Sequence, residues 1–105
     1  MNILDLPLKG IWYDMIESGN KKEEYREIKP YWSKRICGCV FTTKSMCEKD
    51  KCTYCKKITH IRFRYGYTKR TMLFKLNNVD IGKGRSEWGA PSSEVFILKL
   101  GERIA

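Results

Sequence analysis

The sequence predicts an α+β domain: a curled, mostly antiparallel sheet with one main N-terminal helix and a short second helix. Three observations carry this expectation. Thr59, Ile61, Phe63, Tyr65 and Tyr67 alternate with His60, Arg62 and Arg64, the period of a half-buried strand. Ile11, Trp12, Met15 and Ile16 fall at helical spacing and form one apolar face. Val95-Phe96-Ile97-Leu98 is continuously apolar, as in a strand buried on both sides. At 105 residues the chain is expected to be a single domain, residues 1–105, with one core. Many short strands and few helices in so short a chain point to a barrel or a strongly curled sheet.

In chain order, Ile3 to Leu8 reads as a first strand stopped by Pro7. A helix is expected from about Lys9 to Ser18, ended by Gly19-Asn20, residue types that tolerate the left-handed turn at a helix C-terminus. Lys21 to Ile28 reads as a charged extended strand, and Pro30 to Ile36 as a helical turn with proline at its first position. Cys37 to Lys57 is polar and lacks periodicity, so it is expected to be a cysteine-bearing loop or insertion. The alternating segment from Thr59 and the segment Thr71 to Leu76 form a hairpin. Asn77-Asn78 reads as a further turn and Val79 to Ile81 as a short strand. Gly82 to Pro91 is a long loop carrying Trp88, and Glu94 to Leu100 the last strand.

Charge narrows the function classes. Twenty-one Lys and Arg face twelve acids, for a formal net charge of +9. Such an excess in a small domain favours a polyanionic partner, here RNA, single-stranded nucleic acid or a nucleotide; simple solubility is the alternative. No apolar run approaches the ~20 residues of a membrane span, and Met1 to Asp5 lacks the pattern of a secretion signal. The expectation is a cytoplasmic monomer that does not engage a membrane.

The densest chemistry is Gly19-Asn20-Lys21-Lys22-Glu23-Glu24-Tyr25-Arg26. Strand alternation puts Glu24 and Arg26 on one face, and Lys21 enters from the turn. Lys21 and Arg26 can fix a phosphate or an oxyanion, Arg26 with a two-pronged grip. Glu24 can accept a base N–H or shuttle a proton. In an enzyme, Lys21 would be the base or nucleophile once desolvated. The plain alternative is a solvated strand of ion pairs.

These residues carry a resemblance. The pattern G-x-K-x-x-E-x-R after a helix resembles the signature of the ASCH family, a branch of the PUA-like β-barrels. Lys29-Pro30-Tyr31-Trp32, Gly82-Lys83-Gly84, Trp88-Gly89-Ala90-Pro91 and Lys99-Leu100-Gly101 are similar to small bacterial and phage members of that family. The resemblance implies a PUA-like barrel with a cleft for RNA. It also implies a hydrolase as the alternative, since some relatives deacylate a modified cytidine and others are ribonucleases. The small deacylases carry threonine where this chain has Glu24.

Further candidates stand outside that motif. Arg62 and Arg64 share a strand face with His60 and, with Lys69 and Arg70 in the next turn, form either a track for a phosphate backbone or an exposed hairpin face. Tyr65 and Tyr67 are expected in the core. Trp88 either walls a cleft and stacks on a base or caps the barrel end. Five cysteines without a secretion signal do not read as disulfides. Cys37-x-Cys39 and Cys52-x-x-Cys55 can supply four thiolates to a structural zinc, with Cys47 between them, or remain free thiols.

The functional expectation is therefore binding of RNA or a nucleotide in a basic cleft around Lys21, Glu24 and Arg26. The alternatives are a hydrolase using Lys21 and Glu24, and a protein-interaction domain.

Overall fold

A computed structural model describes residues 1–38 and 58–105. Five strands and two helices follow one another as β1 (Ile3–Leu8), α1 (Gly10–Glu17), β2 (Glu23–Glu27), α2 (Pro30–Ile36), β3 (His60–Tyr65), β4 (Thr71–Gly82) and β5 (Val95–Arg103). The strands form one mixed sheet in the order β1-β3-β4-β5-β2, parallel between β1 and β3 and antiparallel elsewhere. The fold is thus α+β, with the sheet curled into a half-barrel. The expected cysteine-bearing insertion, apart from Cys37 and Gly38, falls outside the described residues.

The curl has an identifiable cause in β4. That strand pairs with β3 from Thr71 to Lys75 and with β5 from Phe74 to Gly82. Within the β5 ladder the register shifts twice, at Phe74/Leu76 and at Leu76/Asn78. Such irregularities bend a strand and increase its twist. Asn77-Asn78, expected to be a turn, is therefore a bend within one continuous strand. The β5 ladder, with Leu76 paired to Leu100 and Asn78 to Lys99, holds this stretch of poor strand formers in extended form.

The concave side holds the main core. Leu4, Leu6 and Leu8 of β1, Ile61 and Phe63 of β3, Met72 and Phe74 of β4 and Phe96 and Leu98 of β5 pack against Tyr13 and Ile16 of α1 and Ile36 of α2. The other face of β5 is covered too: Val95 and Ile97 join Tyr25 in a second cluster, with Trp88 and Ala90 against it. This explains the unbroken apolar run in β5, and the strand runs on to Arg103 rather than stopping at Leu100.

Other expectations are corrected by the packing. Pro7 lies inside β1 and does not stop it. β1 is an edge strand, so a missing N–H there costs no ladder bond. Ile11 is exposed because Tyr13 and Ile16 carry the buried face of α1, and Ile11 lies roughly 200° around the helix from Tyr13 at ~100° per residue. Tyr67 is 97% exposed, because Gly66 turns the chain at φ 55° and ends the alternation at Tyr65.

Candidate functional site

The curled sheet leaves its two edge strands, β1 and β2, facing each other. Arg26 of β2 reaches across that opening to the carbonyl oxygen of Pro7 in β1 (Nη2 to O 3.4 Å). Beside this contact lies a cleft of about 230 Å3. The end of β1 contributes Pro7, Leu8 and the following Lys9 to its wall; α1 contributes Trp12, and β2 contributes Glu24, Tyr25 and Arg26. Trp88 and Gly89, at the end of a short 3-10 turn (Ser86–Trp88), complete it.

Gly89 is required there twice over. Its φ is 92°, a left-handed value, and a Cβ at this position would stand 2.9 Å from the Trp12 ring. Glycine removes both penalties, and the loop can lie directly against the indole.

The three residues of the sequence motif do converge. The Lys21 ammonium lies 3.2 Å from Glu24 Oε1, and Arg26 Nη2 lies 3.3 Å from Glu24 Oε2. Lys21 also donates to the backbone carbonyl of Trp88, and its Nζ stands 5.2 Å from the centre of the Trp12 ring and 4.8 Å from that of Tyr25. Its residue exposure is 1%. The amine is thus enclosed beneath the cleft, while Glu24 and Arg26 form part of the wall. Burial pushes the Lys21 amine below the ordinary lysine range; the Glu24 carboxylate opposes that shift and the Arg26 charge adds to it.

Two polar atoms of the wall are left without hydrogen bonds. Glu24 Oε2 and Arg26 Nε are both buried, and neither has a hydrogen-bond partner among the described residues. The Glu24–Arg26 ion pair is close in distance but does not align as a hydrogen bond. Buried polar groups are normally satisfied, so these two atoms are unmet hydrogen-bonding capacity in residues that line the cleft.

Tyr25 fixes the loop behind the wall. Its hydroxyl donates to Glu23 Oε1 at 2.8 Å and accepts from the Arg85 backbone N–H at 3.0 Å. Burial pushes this phenol up to about 12; the Arg85 N–H acts in the opposite direction and Glu23 reinforces the rise.

The other candidates separate. Trp88 both lines the cleft and packs on the second cluster, with the Arg85 guanidinium 4.9 Å from its ring centre. Arg62 and Arg64 stand opposite Asp5 and Pro7 in the parallel register, on the outer face of the sheet. Arg62 makes an exposed pair with Asp5 at 3.4 Å, and Arg64 donates to the Thr68 carbonyl at 3.0 Å. Arg70 keeps different company from Arg62 and Arg64. Glu17 of α1 holds it at 2.7 Å, and it lies over the rings of Tyr13 and Tyr65. Lys69 is exposed in the turn before it.

Of the four thiols expected to hold zinc, Cys37 alone lies among the described residues, buried at the end of α2. Cys39, Cys52 and Cys55, with Cys47, lie outside them. No group of three or more metal-ligating side chains occurs among the described residues, and no helix there is long and apolar enough to cross a membrane.

Sequence reasoning missed Trp12, Lys9 and Gly89 as parts of the wall. For Gly89 a signal existed: a glycine directly after a tryptophan in a loop, where a close backbone approach is the common reason. No protein-family model, curated protein or solved structure matches the chain.

Proposed function

We infer that this domain is a reader of single-stranded nucleic acid that takes a base into the cleft between β1 and β2, on a barrel of the PUA-like kind. The observation that carries the reading is the unsatisfied pair, Glu24 Oε2 and Arg26 Nε, in a wall shared with Trp12, Tyr25 and Trp88. An acceptor beside a donor matches the edge of a nucleobase, and aromatic side chains suit its flat faces. At about 230 Å3 the cleft is below the ~300–1,000 Å3 of sites for larger ligands. That size suits a base better than a whole nucleotide. Lys9 and the +9 charge of the chain supply attraction for the backbone.

Binding is favoured over hydrolysis by the position of Lys21. An amine acting as base or nucleophile has to meet its substrate, and this one is covered by Trp12, Tyr25 and the Trp88 carbonyl. Lys21 holds Glu24 in place instead.

Tryptophan fluorescence tests the reading, since Trp12 and Trp88 stand at the cleft. Titration at low salt with mixed-sequence single-stranded RNA is expected to change the emission, and Arg26→Gln to weaken binding at least tenfold. Absence of binding to RNA, DNA and nucleotides alike would overturn it.

A further inference from the structure

A second groove opens directly beyond the cleft, with a volume of about 640 Å3. Pro7 lines both. The outer groove is walled by α2 and the segment before it: Lys29, Tyr31, Trp32 and Arg35. Its planar groups are arranged as two stacks. The Arg35 guanidinium lies 3.4 Å from the centre of the Tyr31 ring, and the Arg26 guanidinium 5.1 Å from that of Trp32. The two rings meet edge to face, with centres 4.7 Å apart. Tyr31 is 53% exposed, a large aromatic left at the surface beside cationic side chains. Arg62 and Arg64 flank this side of the sheet, opposite Asp5 and Pro7 in the register.

Arg26 belongs to both places. It lines the inner cleft, bonds to the Pro7 carbonyl at their shared wall, and stacks on Trp32 of the outer groove. Unstacked bases lie on aromatic rings and on guanidinium planes, and a guanidinium grips a phosphate with two parallel N–H groups.

We propose that the outer groove is a second nucleotide subsite, so that the ligand is a single strand at least two nucleotides long. One base enters the inner cleft, its neighbour stacks in the Tyr31–Trp32–Arg35 groove, and the phosphate joining them lies at Arg26. This rests on the reading of the inner cleft as a base site. It adds that a free nucleotide fills only half of what the protein recognises.

Affinity against ligand length is the test. The probes are the four 5′-mononucleotides and mixed-sequence single-stranded RNA hexamers, with circular dichroism confirming the fold of each variant. The hexamers are expected to bind at least tenfold more tightly than the best mononucleotide. Tyr31→Ala, at an exposed ring outside the core, and Arg35→Gln should each lower hexamer affinity, Tyr31→Ala by roughly 5-fold to 150-fold, the range of a lost stacking contact. Both should leave mononucleotide affinity unchanged. Mononucleotides binding as tightly as hexamers, or hexamer affinity indifferent to both substitutions, would overturn the second subsite and leave the inner cleft standing. Failure of every probe to bind would overturn the cleft reading and the second subsite with it.

Discussion

The Lys21 ammonium and the Glu24 carboxylate lie 3.2 Å apart, with side-chain exposures of 0% and 6%. A buried pair of this kind contributes little against a well-packed apolar pair of the same size, but removing one partner strands the other charge at ~3–5 kcal/mol. The two partners are not equivalent here. Glu24 has a second cation in Arg26 at 3.3 Å, whereas Lys21 has only Glu24 as a close carboxylate among the described residues, with the Trp88 carbonyl and two rings beside it. Glu24→Gln is therefore expected to destabilise the fold more than Lys21→Met, on the order of 3 kcal/mol. The double variant should lose less than the sum of the singles. Urea unfolding of the four proteins gives the coupling; strict additivity would mean that the two groups do not interact.

The grouping of Lys21, Glu24 and Arg26 was legible in the sequence because it is local. Glu24 and Arg26, two residues apart on a strand, share a face by the pleat alone, and Lys21 enters from the glycine turn just before it. What encloses the pair was not legible. The Trp88 carbonyl comes from 67 residues away, and Trp12 from a helix whose buried face is carried by Tyr13 and Ile16. Neither position follows from local spacing. The sheet was legible where alternation was strict, in β3, and where it was absent, in β5. It was misread at Asn77-Asn78, since a register shift within a ladder leaves no mark that distinguishes a bend from a turn. The stack of Arg26 on Trp32 joins β2 to α2, the next element along the chain.

The two left-handed glycines at the site's borders differ in what surrounds them. Gly19 has φ 86° and nothing within 4 Å of an added Cβ; Gly89 has φ 92° and the Trp12 ring at 2.9 Å. Gly19→Ala should cost only the conformational penalty, about 1–2 kcal/mol. Gly89→Ala adds a steric overlap and should cost on the order of 3 kcal/mol. It alone should shift the tryptophan emission, by displacing Trp12. Equal losses and unchanged emission would show that the loop does not bear on the indole.

Tyr13 is fully enclosed in the main core, yet its hydroxyl has no hydrogen-bond partner among the described residues. A buried unpaired hydroxyl carries a desolvation cost of ~1–3 kcal/mol. Tyr13→Phe keeps the ring, which packs edge to face on Tyr65 with centres 5.3 Å apart, and removes the oxygen. The variant is expected to be more stable by about 1 kcal/mol, seen as a higher thermal midpoint. A lower midpoint would mean that the hydroxyl is bonded in solution.

Salt dependence reports on the outer face. Each phosphate contact to a single strand contributes about 0.7 to the slope of log affinity against log salt. Among the described residues, Arg62 makes an exposed pair with Asp5 and Arg64 a bond to the Thr68 carbonyl, and exposed pairs are weak. Both are therefore free to turn to a phosphate. The double variant Arg62→Gln/Arg64→Gln should lower the slope by about 1.4. Arg70→Gln should leave it unchanged, because that guanidinium lies over Tyr13 and Tyr65 beside Glu17, away from Arg62 and Arg64. An equal effect of Arg70→Gln would place the backbone track on the α1 side of the sheet instead.

Alkaline titration separates Tyr25 from the rest of the molecule. Its phenol is raised from 10.0 to about 12 by burial, so the folded state holds this proton after the unfolded chain has lost it. The stability it contributes is complete below pH 10.0 and is lost as pH rises through about 12. Lys21 acts with the opposite sign. Its folded value lies below 10.5, so its contribution rises with pH up to 10.5 and is flat above. Between pH 10.5 and about 12 the falling contribution of Tyr25 is thus unopposed by Lys21. Urea unfolding across that interval should show stability dropping in the parent protein and dropping less in Tyr25→Phe. Near-ultraviolet absorbance provides an independent reading. Tyr25 should ionise near pH 12, and that component should be absent from the spectrum of Tyr25→Phe. If Tyr25→Phe instead removes a component near pH 10, the phenol is exposed to water, and the Glu23–Tyr25–Arg85 chain of hydrogen bonds does not hold the loop that carries Trp88 and Gly89 against the cleft.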